Sequence, residues 1–188
     1  MKIGVSGHRY RDAADWEWTR RAIVDVFIEH PTAVGWSSIA VGADQIFAEA
    51  ALVFGRGLVA VIPAYESYAE EFSGRDRRVY DMTLARAKKV IRVSEGAREA
   101  AFLRAGQKIV RNVDLMALVW DGAPAQGAGG TADIVDCVRQ LKSGGQKMID
   151  IIVSGVSIML VKREEFSAFV AANGIDALLD RLEQEVQS

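Results

Sequence analysis

Six short, nearly all-apolar runs recur along this chain, each separated from the next by a polar or glycine-containing break and a helical pattern. They are Lys2–Ser6, Ser37–Val41, Leu58–Ile62, Lys89–Val93, Leu115–Trp120 and Met148–Val153. A strand that is apolar on both faces must be covered on both faces, and strands that alternate with helices can run parallel only through crossovers. The alternation therefore predicts an α/β fold: three layers, a mostly parallel central sheet and helices on both sides. Between the runs, Trp16, Ala22, Ile23, Val26 and Phe27 fall on one helical face. So do Ile46, Phe47, Ala50, Ala51 and Phe54. Tyr65–Arg86 carries helical periodicity on either side of Gly74, and Glu99–Asn112 reads as a further helix.

The stretch Leu115–Val138, LMALVWDGAPAQGAGGTADIVDCV, concentrates the chemistry. An apolar strand ends in Asp121-Gly122, crosses a loop holding Gly127, Gly129 and Gly130, and enters a helix at Thr131. Glycines let a ligand approach the backbone, and the first N–H groups of a helix have no internal partner, so this junction is a seat for phosphate. Thr131 either caps the helix or donates to a phosphate oxygen. In parallel sheets, ligands sit beyond the carboxyl ends of the strands at a topological switch point. Candidate ligand residues occupy those ends: Ser6, Gly7, His8 and Arg9 after the first strand, Gly42 and Asp44 after the second, Tyr65 after the third, and Asp121 with the glycine loop after the fifth. Asp44 can cap its helix or touch ligand; Asp121 can orient a ribose hydroxyl or open a turn.

Other residues read as scaffold. Trp16, Trp36 and Trp120 fit core positions, while Tyr65 and Tyr68 are better placed to stack on a base. Arg104, Lys108 and Arg111 share one helix face and read as solvated charge, as do Arg75, Arg77 and Arg78. No His, Cys, Asp or Glu spacing suggests a metal, and no cofactor is required.

With 23 Lys plus Arg against 25 Asp plus Glu, the formal net charge is −2 and the pI about 5.8. No overall positive field draws the chain to nucleic acid, which is expected to be an unlikely partner. The lone Cys137 cannot form an internal disulfide, and no apolar run is long enough for a membrane helix, so a cytoplasmic protein without a membrane partner is expected. The regular alternation ends near residue 153. Residues 1–153 are read as the nucleotide-binding core, and residues 154–188 as a strand–helix extension on the same domain, with a strand at Val156–Val161 and helices parted by Asn173-Gly174.

The segments VSGHR, GADQIFAEAA, VIPAYESYAEEF and VDLMALVWDGAPAQGAGGTADIV, in that order, resemble the SLOG superfamily. These Rossmann-like proteins include DprA, YpsA-like proteins and the Lonely Guy nucleotide hydrolases. The resemblance implies binding of a nucleotide or nucleotide-derived small molecule, and a homo-oligomer. Two alternatives come with it: N-glycosidic hydrolysis of a nucleotide, or DprA-like binding of single-stranded DNA. The Lonely Guy motif PGGxGTxxE places a catalytic glutamate three residues after its Gly-Thr. Here that position is Ile134, with Asp133 and Asp136 as the nearest acids, and Arg104 or Arg111 as the candidates for that family's helical arginine.

Overall fold

The computed structural model describes residues 1–10, 16–63, 67–93, 97–120, 130–141, 148–153, 156–157, 169–174 and 177. The chain alternates β1 (Lys2–Gly7), α1 (Trp16–Glu29), β2 (Val34–Ser37), α2 (Ala43–Val53), β3 (Leu58–Ile62), a 3-10 turn (Tyr68–Glu71), α3 (Gly74–Arg86), β4 (Lys89–Arg92), α4 (Arg98–Asn112), β5 (Leu115–Val119), α5 (Thr131–Leu141), β6 (Met148–Val153) and β7 (Val156–Ser157). The described strands form one sheet in the order β4-β3-β2-β1-β5-β6-β7. All pairings from β4 to β6 are parallel, and β7 returns antiparallel beside β6. This is the expected Rossmann-like three-layer architecture.

The order of the strands explains the two helical layers. The chain winds outward from β1 through β2 and β3 to β4, then crosses back to place β5 on the other side of β1. Helices α1, α2 and α3 pack together, and α4 pairs with α5. Alternate residues along each strand consequently feed two separate cores. Ile3, Val5, Leu58, Ala60, Ile62, Leu115 and Ala117 join Phe27 and Phe47. Val59, Val61, Met116 and Leu118 join Ile109, Val110, Ile134, Val135 and Val138.

Small residues set the closeness of these layers. A Cβ on Gly4 would meet Ile109 Cγ2 at 2.5 Å and Met116 Sδ at 2.6 Å, so α4 lies directly on β1. A Cβ on Gly35 would meet Ala51 Cβ at 2.5 Å, which brings α2 down onto β2. Helix α2 lies between α1 and α3, and its buried residues include even Asp44 and Gln45. The Gln45 amide is satisfied there by donating to the Asp76 carbonyl at 3.0 Å.

One strand lies elsewhere than its composition suggests. The apolar run Ser37–Val41 is not the second strand; β2 is Val34–Ser37, in register with Lys2–Gly4 and Leu58–Ala60. The run fails as a strand because its backbone takes another course. Ile39 sits at φ 60°, a left-handed conformation foreign to a β-branched residue in a sheet, and its N–H donates to the Ser37 hydroxyl at 2.9 Å. Gly35 serves within the strand because α2 leaves no room there for a side chain.

At the far end, β7 adds one short strand. Residues 169–173 are helical, and Gly174 at φ 82° closes that turn, in keeping with the expected break at Asn173-Gly174. Among the described residues, no helix is long and apolar enough to cross a membrane.

Candidate functional site

Because α1 through α3 lie on one face and α4 and α5 on the other, the helices that follow β1 and β5 lie on opposite faces of the sheet. The carboxyl ends of the two strands are adjacent: Gly7 stands opposite Val119, and the His8 N–H donates to the Val119 carbonyl at 3.0 Å. This is the switch-point crevice of an open parallel sheet. At its base two glycines let the loops pack closely against the strand ends. A Cβ on Gly7 would run into Ala43 Cβ and lie 2.8 Å from Val119 Cβ. Gly42, at φ 100°, passes so close to the His8 carbonyl and to Arg9 Cα that no side chain fits there. The Ala43 N–H donates to the His8 carbonyl at 3.2 Å. The β1 and β2 loops are thereby tied together at the first turn of α2.

On the other side of the crevice is the head of α5. Thr131 is buried in its first turn, and the preceding Gly130 N–H donates to Asp133 Oδ2 at 3.3 Å. A carboxylate reaching back to an exposed N–H at a helix start is a capping arrangement, and it occupies the position in which an anion is favoured. Ile134 is buried and packs where a Cβ on Gly106 of α4 would be. The position that resembles the Lonely Guy glutamate is therefore core, not site. Gly106 itself gives a sequence-level sign of close helix packing, a glycine inside a helical pattern.

The structure places the remaining expected residues as follows. Ser6 and His8 are half-buried at the end of β1, with Arg9 exposed beyond them. Asp44 faces inward rather than toward the crevice. Its Oδ2 accepts from the Ser38 N–H at 3.2 Å and from the Ser37 hydroxyl at 3.4 Å. Burial pushes its carboxyl up to about 7, against hydrogen bonds from Ser38, Ala40 and Ser37 that favour the charge. Tyr65, Asp121, Gly127 and Gly129 lie outside the described residues. Tyr68 is not a base platform: it is buried, its hydroxyl donates to the Ser38 carbonyl at 2.8 Å, and Phe72, Tyr80 and Phe102 stand edge-on around its ring. The 3-10 turn folds it under the loop, a placement that periodicity does not reveal. Trp36 is core, as expected, and Trp120 is half-buried beneath Arg139, whose guanidinium carbon is 6.0 Å from the ring centre.

Two features went unread in the sequence. Arg9 of the β1 loop and Arg98 at the start of α4 both bind the carboxylate of Glu71, the last residue of the 3-10 turn. Separately, Arg104, Lys108 and Arg111 of α4 are exposed, as expected of solvated charge, but they do not stand alone. With Gln107 and Ile91, Arg92 and Val93 of the β4 edge they line a groove of about 330 Å³ whose lining includes no acidic residue. A larger groove of about 490 Å³ opens among α1, α2 and α3. It is walled mainly by apolar side chains of the outer helical layer and lies away from the crevice. No group of three or more His, Cys, Asp or Glu among the described residues is arranged to hold a metal.

Comparison with known proteins bears on the fold. The family profile "MlaC protein" matches residues 127–184, less than half of the chain, and so does not establish a family. No curated protein matches the sequence. Solved structures that share its architecture include DNA processing protein A from Helicobacter pylori, a structure described for its single-stranded DNA binding mode. It is 15% identical with a TM-score of 0.57, covering 80% of this chain and 64% of that one. TM1055, a structural genomics target, is 13% identical with a TM-score of 0.47, covering 74% of this chain and 69% of that one. The present chain thus spans less than two thirds of the first protein's length, and the likeness is one of fold. It nevertheless corrects one expectation. A fold that serves a single-stranded DNA binder gives no ground for treating nucleic acid as an unlikely partner, and a net charge of −2 does not supply that ground either. Net charge averages over the surface, whereas a polyanion responds to local fields such as that of the α4 groove.

Proposed function

We propose that the protein binds the phosphate of a nucleotide in the crevice between the carboxyl ends of β1 and β5. The observation that carries this reading is the strand order, which puts the carboxyl ends of β1 and β5 side by side at one switch point, with α5 starting beyond β5. The α5 head and Thr131 would take the phosphate, with Gly127 and Gly129 of the preceding loop, while Ser6, His8 and Arg9 would form a second anchor. A sensor of a nucleotide-derived signal fits this arrangement better than a Lonely Guy-type hydrolase. The buried Ile134 leaves that family's glutamate position without an acid or base, and the neighbouring Asp133 is turned back to the Gly130 N–H.

The second reading is binding of single-stranded DNA. It is favoured by the acid-free basic groove beside α4 and by the fold shared with DNA processing protein A.

One plate of assays separates the readings. Purified protein is incubated with nucleoside monophosphates, their nucleosides, NAD, ADP-ribose and a short single-stranded oligonucleotide, and thermal shift is read alongside mass spectrometry of products. A shift with phosphate-bearing ligands and none with nucleosides supports the phosphate site. Equal shifts with nucleosides would remove the phosphate from the reading, and release of free base would restore the hydrolase. A response confined to the oligonucleotide, lost on mutation of Lys108 and Arg111, would favour the second reading.

A further inference from the structure

Glu71 is held by two arginines that come from distant parts of the chain. Arg98 makes a two-point contact, Nε to Oε1 at 2.5 Å and Nη2 to Oε2 at 2.9 Å, and Arg9 Nη2 reaches the same Oε2 at 2.5 Å. The carboxylate is largely covered, with its side chain 17% exposed, while the two guanidiniums are about half-exposed. The Arg98 guanidinium also lies over the Phe102 ring, 5.0 Å from its centre, so its plane is fixed by packing as well as by charge. All three residues stand at the carboxyl edge of the sheet: Arg9 just beyond β1, Glu71 in the turn after β3, and Arg98 at the first residue of α4.

A planar guanidinium fork held in this way matches a phosphate as well as it matches a carboxylate. Arg9 also adjoins the backbone of Gly7 and His8 that forms the crevice floor. We propose that Glu71 is a built-in competitor for the ligand. Its carboxylate occupies the anion seat of Arg9 and Arg98, and a phosphate group entering the crevice takes that seat by displacing it. The proposal rests on the phosphate reading above and adds to it a named pair of receptor arginines and a residue that sets their affinity. It also assigns selectivity, because an uncharged nucleoside cannot displace a carboxylate from two guanidiniums.

Binding of AMP, adenosine and inorganic phosphate is measured by isothermal titration calorimetry on the wild type, Glu71→Gln, Arg9→Ala/Arg98→Ala and the triple variant, at one fixed salt concentration. Thermal denaturation of each variant checks the fold. Glu71→Asp, shorter but still charged, stands in if Glu71→Gln unfolds; it is expected to bind AMP more tightly than the wild type, because the shorter arm loosens its hold on the arginines. Losing a charge-assisted contact is worth about a tenfold change or more. Glu71→Gln is therefore expected to bind AMP and phosphate about tenfold more tightly, and the arginine double variant at least tenfold more weakly, with adenosine unchanged throughout. In the arginine double background, Glu71→Gln should give no gain, because the carboxylate acts through the two arginines. A gain that persists there would reduce Glu71 to a nearby negative charge and overturn the displacement. If wild type and Glu71→Gln bind AMP equally, the competitor role fails while the phosphate site stands. If no variant, Glu71→Gln included, binds AMP or phosphate, the phosphate reading falls and this inference with it.

Discussion

Replacing Asp44 by asparagine should flatten the pH dependence of stability in a defined window. The Asp44 carboxyl is buried at 6% exposure beneath the loop that joins β2 to α2, and burial raises its pKa from 3.8 to about 7. Between those values the native state holds the proton while the unfolded chain has lost it. Stability therefore falls as pH rises through the window. The contribution is complete below about pH 4 and is lost as pH climbs through 7. The difference of 7 less 3.8 is about 3 pKa units, and at 1.36 kcal/mol per unit the full swing is about 4 kcal/mol. Solvent entering a relaxed loop would reduce it. Asparagine keeps an oxygen to accept from the Ser38 N–H but cannot ionise. Urea unfolding of both proteins at several pH values from 4.5 to 8 reads the effect, because every other titrating group cancels in the difference. Relative to wild type, the variant should gain about 2–4 kcal/mol across that range with an unchanged denaturant slope. A difference that stays constant within about 0.5 kcal/mol would refute the argument that burial governs this carboxyl.

Other expectations follow from packing. Gly7→Ala drives a methyl against Ala43 and Val119, both fixed by backbone, and should cost about 1–3 kcal/mol in urea denaturation. Gly106→Ala meets only the flexible end of Ile134 and gains helix propensity of about 1 kcal/mol, so it should lie within about 1 kcal/mol of wild type by the same assay. If it proves as damaging as Gly7→Ala, α5 is held more rigidly against α4 than this contact implies. Tyr68→Phe removes the hydroxyl that donates to the Ser38 carbonyl and should cost about 1–2 kcal/mol, with local amide exchange rising around Ser38. Phe27→Ala opens the core against Phe47, 5.0 Å away between ring centres, and should cost about 3–5 kcal/mol; a loss below 1 would mean the helical layer collapses into the gap.

The sequence by itself determined the fold class. Runs such as Leu58–Ile62 and Leu115–Val119, buried along their whole length, admit little other than a covered parallel sheet, and periodicity is a local property that survives in one dimension. Gly7 at the end of β1 and Gly42 at the start of α2 were legible for the same reason, since glycine signals backbone that must come close to something. Tertiary structure decided the rest. The second strand moved to Val34–Ser37 because α2 packs onto Gly35 and the Asp44 carboxylate bends the following residues out of the sheet. Tyr68 went inward, and three basic residues that look like solvated charge on a single helix came to wall a groove with an edge strand. Arg9, Glu71 and Arg98 met although Arg9 and Glu71 are 62 residues apart and Glu71 and Arg98 are 27 apart. No local pattern encodes such a meeting, because it depends on which strand ends the crossovers bring together.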